Sequence, residues 1–337
     1  MANSTLKQIA EELGLSISTV SRAINGKTVV KPATRDRVMA LAEKYHYSPN
    51  QVARALQRSS TQTIAVVLPD ISETFFGTIV KEIDRVVSAL GYMLILADTH
   101  EKAEKEHHHL QMLYTRRVDA LVLATVVLDG SSVRQFASSE IPVVFIDNVP
   151  ALSQADAITI DNRKASRMAV EHLAERGHRQ IAAIIGSEQE TTGAERLAGY
   201  RAALREHGLA AEKDLVAYGD YKRDSGYRAM KKLIAGRAEH PFTAVYVTSE
   251  KMTYGAMQAI REAGLRVPED LSLVGFDIHA ADDCCGVRIT SVRQPEETIG
   301  RLVGEQLLKR LAPNGQKKQE WMLLDPYLEE GDTVRSI

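Results

Sequence analysis

From Thr61 onward the chain alternates short apolar runs with longer amphipathic stretches, and that alternation leaves little choice of architecture. The runs are TIAVVL (63–68), MLILA (93–97), ALVLA (120–124) and VVFI (143–146), then QIAAII (180–185), AVYV (244–247) and LSLVGF (271–276). Helical patterns fall between them near 74–90, 102–117, 163–176, 194–207, 223–236 and 250–263. Strands separated by helices form parallel sheets with helices on both faces. Two such series predict two similar lobes, although no short repeat is visible. In such sheets ligands bind at the carboxyl ends of the strands, where loops and helix N-termini converge. Asp147 follows VVFI, Asp161 follows AITI and Asp277 follows LVGF, while Arg196 begins one helix and Glu250 opens another. A carboxylate there contacts a ligand or caps the next helix, and for Asp147 and Asp161 the sequence leaves both open.

The first sixty residues differ in texture. They carry nine basic and four acidic side chains, a net +5, against −7 for the rest of a chain whose total is −2. A basic head on an acidic body fits a polyanion touched only by the head, although scattered surface charge gives the same count. Thr5 precedes an apolar pattern at Leu6, Ile9, Ala10 and Leu13, and Gln8 completes a capping box. Gly14 stops this helix. A second helix begins at Ser16 or Ile17 and runs to about Asn25, with Val20 and Ile24 inward and Ile17, Ser18, Ser21 and Arg22 outward. A third, from about Ala33 to Tyr45, closes a small core with Val38, Leu41 and Ala42; Pro32 suits its first turn. Two short helices joined by a tight glycine turn are a helix-turn-helix, which sets the start of its second helix against base edges. A plain helical hairpin is the alternative.

The stretches LKQIAEELGLSISTVSRAING and TRDRVMALAEKYHYSPNQVARAL resemble the DNA-binding head of the lactose-repressor/galactose-repressor family. The resemblance continues through PDISETFF, VVFIDN, ITIDN, ERLAGYRAAL, GLRVPEDLSLVGFD and SVRQPEETIG, and so covers nearly the whole chain. It implies an α/β protein: an N-terminal all-α helix-turn-helix head plus a bilobed periplasmic-binding-protein-like body with two doubly wound parallel sheets. The head would span 1–49 and a hinge helix with its linker 50–60. The effector-binding and dimerisation body would span 61–337, its N-lobe about 61–161 and 293–323 and its C-lobe about 162–292 and 324–337, with crossings near Asn162, Gln294 and Leu324. By position, base reading falls on Ile17, Ser18 and Arg22, and phosphate or sugar contacts on Thr5, Ser16, Thr19, Ser21, Asn25 and Thr34. Asn50, Ala53 and Leu56 belong to the hinge, where Leu56 from each of two copies would wedge into the minor groove. Effector contacts fall on Phe75, Phe76, Asp147, Asp161, Thr192, Arg196, Tyr221, Glu250 and Asp277. Carboxylates with an arginine bind adjacent hydroxyls, and aromatic rings stack on an apolar sugar face. The chain departs from the family pattern twice. Ser249-Glu250 stands where Asn-Asp is usual, and Glu73-Thr74-Phe75-Phe76 where Asn-Pro-Phe-Phe is common.

The resemblance therefore implies a sequence-specific DNA-binding transcription regulator, a repressor, whose affinity for a pseudopalindromic operator is set by a sugar or sugar derivative. Two-fold sites call for a homodimer, and the chain lacks the leucine-heptad tail with which some relatives tetramerise. The alternative is a soluble sugar-binding protein without a DNA-binding role; the absence of an apparent signal peptide and the basic head speak for the regulator in the cytoplasm. No run of about 18 apolar residues predicts a membrane span. An enzyme is not expected, since no G-x-G-x-x-G after a strand, no phosphate-binding G-x-x-x-x-G-K and no G-x-S-x-G occurs. No cofactor or metal is expected either. His107, His108 and His109 are consecutive and point about 100° apart on a helix, and Cys284-Cys285 suit inert thiols.

Overall fold

The computed structural model describes residues 6–24, 30–45, 47, 60–150, 155–279, 286–313, 315 and 318–337, and the backbone of 2–5. The chain divides into two compact units, 1–62 and 63–337, each considered by itself.

The first unit holds α1 (Ala2–Leu13), α2 (Ile17–Ile24) and α3 (Pro32–Lys44). Ile9, Ala10, Val20, Ala23, Val38 and Ala42 form its buried core, with Leu6, Leu13, Leu15, Ile24 and Leu41 around them. Ala23, rather than Ile24, is the fully buried partner of Val20. Helix α1 begins at Ala2, so Thr5 lies inside its first turns and not at the expected N-cap. Nothing in Ala-Asn-Ser forbids the extension, and each added residue gains a backbone hydrogen bond. Gly14, at φ 64°, ends α1 in a Schellman turn: Leu15 N–H donates to Ala10 O at 2.9 Å and Gly14 N–H to Glu11 O at 3.3 Å. The Ser16 hydroxyl then accepts from Thr19 N at 3.1 Å and so caps α2.

The second unit contains two six-stranded sheets. The first uses β1 (Thr63–Leu68), β2 (Met93–Asp98), β3 (Ala120–Leu123), β4 (Val143–Ile146), β5 (Asp156–Ile160) and β11 (Trp321–Leu324), in the order β11-β5-β4-β3-β1-β2 and parallel throughout. The second uses β6 (Ile181–Ile185), β7 (Val216–Tyr218), β8 (Ala244–Val247), β9 (Ser272–Phe276), β10 (Thr290–Arg293) and β12 (Tyr327–Glu329), in the order β12-β10-β9-β8-β6-β7. Its strands are parallel except β12, which returns antiparallel on β10. The expectation of two wholly parallel sheets is corrected at that edge, because the link from β11 is two residues long and too short for a crossover helix.

Helices cover both faces: α4 (Thr74–Val87), α5 (Ala103–Thr115), α6 (Arg134–Ser138), α7 (Asn162–Glu175), α8 (Thr191–Glu206), α9 (Arg223–Ala235), α10 (Glu250–Glu262) and α11 (Glu296–Leu311). They pack pairwise, α4 on α11, α7 on α8 and α9 on α10. The chain passes from the first sheet to the second after β5, back after β10, and over again between β11 and β12. The carboxyl ends of both sheets therefore meet along one cleft.

Candidate functional site

The cleft is lined from both lobes. Pro69, Glu73, Phe75, Phe76, Glu101, Val126, Asp147 and Asn148 come from loops and helix starts of the first sheet; Glu190, Thr192, Arg196, Tyr221, Ser249, Glu250, Phe276, Asp277 and Gln294 come from the second. The cavity measures about 70 Å³.

Eight of the nine residues expected to meet an effector are in that lining. Asp161 is not; its carboxylate accepts from Lys164 N at 2.8 Å and caps α7. The helix holding Arg196 starts at Thr191, which places Arg196 in its second turn rather than at its beginning. Lining residues not expected as effector contacts include Glu101, Asn148, Glu190, Phe276 and Gln294. Phe276 ends β9, and the others sit one or two residues from a strand end or helix start, a position that is itself a usable signal.

Backbone geometry marks the same place. Glu101, Asp147, Tyr221 and Asp277 have φ between 55° and 62°, a region that side chains with a Cβ rarely occupy, and all four line the cavity. Asp277 is fixed by Gln294, whose backbone N–H donates to one carboxylate oxygen at 3.0 Å and whose side-chain amide donates to the other at 2.7 Å. Arg196 is buried; Nε donates to Asn162 Oδ1 and Nη1 to Thr248 O, both at 2.8 Å, and the guanidinium lies 3.8 Å over the Phe276 ring. The Tyr221 and Thr192 hydroxyls are 3.2 Å apart. Phe75 and Phe76 meet edge to face at 5.0 Å.

Among the described residues, three ties span the cleft. The Asn148 amide donates to Glu190 at 3.0 Å, while its oxygen accepts from the Thr191 hydroxyl at 2.9 Å and from Thr192 N at 3.2 Å. Asn148 thus caps a helix of the opposite lobe. Lys251 pairs with Asp70 at 2.5 Å and donates to Ser72 at 2.8 Å. Lys222 pairs with Glu101 at 2.6 Å.

Charge inside the cleft is lopsided. Burial raises the Glu73 carboxyl to about 8; Lys251 opposes this, and Asp147, Asp70 and Glu250 add to it. Burial also lifts Asp277 to about 7 against Gln294 and Arg196, and Glu190 to about 7 against Asn148. Asp147 is raised by burial as well, with Arg196 opposing. At the rim Asp70 is drawn down to about 2, because Lys251 and Ser72 outweigh its partial burial.

In the head, Ile17 and Ser18 at the start of α2 and Arg22 in its last turn are exposed, with Thr19 and Ser21 half-buried; Thr34 lies in the first turn of α3. The Ser16 hydroxyl lies 2.8 Å from those of both Ser18 and Thr19. The Thr5 side chain, Asn25, Asn50, Ala53 and Leu56 lie outside the described residues, as do Cys284 and Cys285. Among the described residues no group of three or more His, Cys, Asp or Glu is placed to hold a metal ion, and no helix is long and apolar enough to cross a membrane. His107 and His109 bond to separate backbone carbonyls, of Ala103 and Asp98.

A helix-turn-helix unit followed by a two-lobed body with a polar interlobe cleft defines the class of ligand-binding transcription regulators. Residues 5–50 match the bacterial regulatory proteins of the lacI family, and residues 61–323 match the periplasmic binding proteins and sugar binding domain of the LacI family. The chain belongs to the LacI family and is a DNA-binding transcription regulator with an effector-binding body. It is 34% identical over 308 residues to catabolite control protein A of Priestia megaterium, covering 91% of this chain and 92% of that one. It is 33% identical over 325 residues to the HTH-type transcriptional repressor PurR of Erwinia tasmaniensis, covering 96% and 94%. Among solved structures, the lac repressor dimer bound to operator and the anti-inducer ONPF superposes with a TM-score of 0.86 at 27% identity, covering 97% and 98%. The transcriptional regulator CelR in complex with cellobiose does so at 0.75 and 30% identity, covering 97% and 99%. The relatives named here are regulators, not enzymes.

Proposed function

We propose that the protein is a cytoplasmic homodimeric repressor that binds without turnover and whose grip on a two-fold operator is set by a small sugar-class effector in the interlobe cleft. Residues 1–49 read the operator through Ile17, Ser18 and Arg22; residues 50–60 act as hinge, with Leu56 as minor-groove wedge; residues 61–337 bind the effector and pair the two copies. Repressors among the relatives, the operator-bound dimer and the cellobiose complex support this reading.

The carrying observation is that the residues lining the cavity also make the ties between lobes. Glu190 and Thr192 bond to Asn148, and Glu101 to Lys222. A ligand that touches them changes the free energy of closure, and differential affinity for two closures is what coupling requires. A gel shift on pseudopalindromic sites near its own gene tests this. Binding that responds to a candidate sugar and is lost in Arg22→Ala is expected; no binding with or without sugars overturns it.

A further inference from the structure

Helix α8 is finished by a residue that does not belong to its lobe. Its own N-cap position, Glu190, makes no side-chain capping bond. The nearby Ser187 hydroxyl is turned to Gln189 N at 3.3 Å instead. The Asn148 oxygen fills the role from across the cleft, accepting from Thr192 N at 3.2 Å and from the Thr191 hydroxyl at 2.9 Å, so both of its lone pairs are used. The amide nitrogen of the same side chain donates to Glu190 at 3.0 Å, and Val149 N donates to the Thr191 hydroxyl at 3.4 Å. Asn148 and Thr192 are both buried, so these bonds are shielded from water. Helices α7 and α10 are built differently. Each is capped by the residue directly before it in the chain: Asp161 accepts from Lys164 N at 2.8 Å and Ser249 from Met252 N at 3.3 Å.

The difference bears on what α8 carries. Thr192 lies in its first turn and Arg196 in its second, and both line the cavity. Gly193 follows Thr192 in the same turn, where a Cβ would lie 2.0 Å from Ser187 O, and glycine holds a helix poorly. A first turn has no intrahelical partner for its N–H groups and relies on its cap. When the lobes part, Asn148 leaves with the first lobe and Thr192 N loses its acceptor. The turn then frays, and with it the Thr192 hydroxyl that meets Tyr221 at 3.2 Å.

Resting on the reading of the cleft as the effector site, we propose that Asn148 is a positioning residue that caps α8 in trans, so that the effector contacts of α8 are complete only while the lobes are closed. The cap favours any ligand that bridges the lobes. It sets affinity and leaves selectivity to the groups that touch the ligand.

Hydrogen exchange on the full-length protein without ligand, read by mass spectrometry over peptides from α7, α8 and α10, tests this. In Asn148→Ala, exchange over residues 190–197 should quicken about fivefold, the value of one helix cap, while the starts of α7 and α10 are unchanged. Glu190→Ser gives α8 a cap of its own. By itself it should leave exchange over 190–197 no faster than in the wild type, and in the Asn148→Ala background it should restore the wild-type rate. A serine on the opposite lobe cannot replace lost packing at Asn148, so the rescue separates a cap from a merely structural contact. Unchanged exchange in Asn148→Ala, a quickening spread equally over α7 and α10, faster exchange in Glu190→Ser alone, or a loss that Glu190→Ser does not restore overturns the proposal. Operator binding in the same samples bears on the reading beneath it. A rescue that holds while operator binding ignores galactose, ribose and cellobiose keeps the cap and counts against the cleft as a sugar site.

Discussion

Replacing Glu73 by glutamine should stabilise the ligand-free protein, by an amount that grows with pH and then levels off. Glu73 occupies the N-cap position of α4 without making a side-chain capping bond. The amide therefore sacrifices no hydrogen bond, only the attraction of a carboxylate for a helix N-terminus, about 0.5 kcal/mol. Against that stands the cost of ionising a half-buried carboxyl beside Asp147, Asp70 and Glu250. The group moves from 4.5 to about 8 on folding, which at about 1.36 kcal/mol per pH unit comes to about 5 kcal/mol. Water reaching a half-buried group trims this, so about 3 kcal/mol is expected. Below pH 4.5 the carboxyl is neutral whether the chain is folded or not, and the two proteins should melt alike. Between 4.5 and about 8 the unfolded chain gives up its proton while the folded one keeps it, so the wild type loses stability as pH rises. Above about 8 both states are ionised and the deficit is constant. Thermal melts at intervals from pH 4.5 to pH 9 should show the variant drawing ahead by roughly 6–12 °C. An advantage of equal size at every pH would refute the reasoning, since packing does not titrate. A wild type more stable at pH 9 would refute it outright.

Four further outcomes follow from contacts elsewhere. Arg196→Met keeps the apolar stack on Phe276 but strips Asp147, Glu190 and Asp277 of their shared cation; urea unfolding at pH 8 should lose about 3–5 kcal/mol, and the loss should shrink toward pH 5 as those carboxyls take up protons. Gly255→Ala would set a Cβ 2.0 Å from Arg223 O and 2.7 Å from Tyr227 N, backbone atoms that cannot yield, so α9 and α10 must part. A net loss of about 2 kcal/mol is expected despite alanine's better helix propensity, whereas Gly77→Ala, with open space around it, should gain about 0.5–1 kcal/mol. Ser16→Ala removes the cap on Thr19 N, worth about 1 kcal/mol, so hydrogen exchange over Ile17–Ile24 should quicken about fivefold while the body's is unchanged.

The alternation that begins at Thr61 was enough to expose the main strands, because β1, β3, β4 and β8 are buried runs bounded by helices of the right length, and the edge strand β2 is apolar in sequence although Met93 and Leu96 turn outward. What escaped is short or compromised. Val216–Tyr218 and Tyr327–Glu329 are three residues each, too short for any period to register. Thr290–Arg293 is a central strand that reads as polar, since Thr290, Ser291 and Arg293 are buried through hydrogen bonds rather than apolar contact. Trp321–Leu324 is an edge strand with Trp321 and Leu323 turned outward. Helix Glu296–Leu311 hides its apolar stripe behind Gly300 and Gly304, residues that weaken a helix in isolation and are small here because α4 lies against them. In the cleft, Asp147 and Asp277 were visible as polar residues ending apolar strands. Glu101 and Glu190 were not, because their partners lie in the opposite lobe and nothing local in sequence announces which loops face each other.

That apposition explains why the cleft is suited to switching. Glu73, Glu101 and Asp147 project from the first lobe and Glu190, Glu250 and Asp277 from the second, so closure sets three carboxyls against three. Two like charges about 6 Å apart at an effective dielectric of 20 repel by roughly 3 kcal/mol. The opposing cations, Arg196, Lys222 and Lys251, all belong to the second lobe, and two of them are spent on Asp70 and Glu101 at the rim. The carboxyls that remain can hold their protons near neutrality, which lightens the repulsion on closure. Any ligand that supplies positive charge removes that burden, and any condition that ionises the carboxyls without supplying charge adds to it. Ligand and pH therefore act on one equilibrium through the same oxygens, and alkaline solution in the absence of ligand should favour the open lobes.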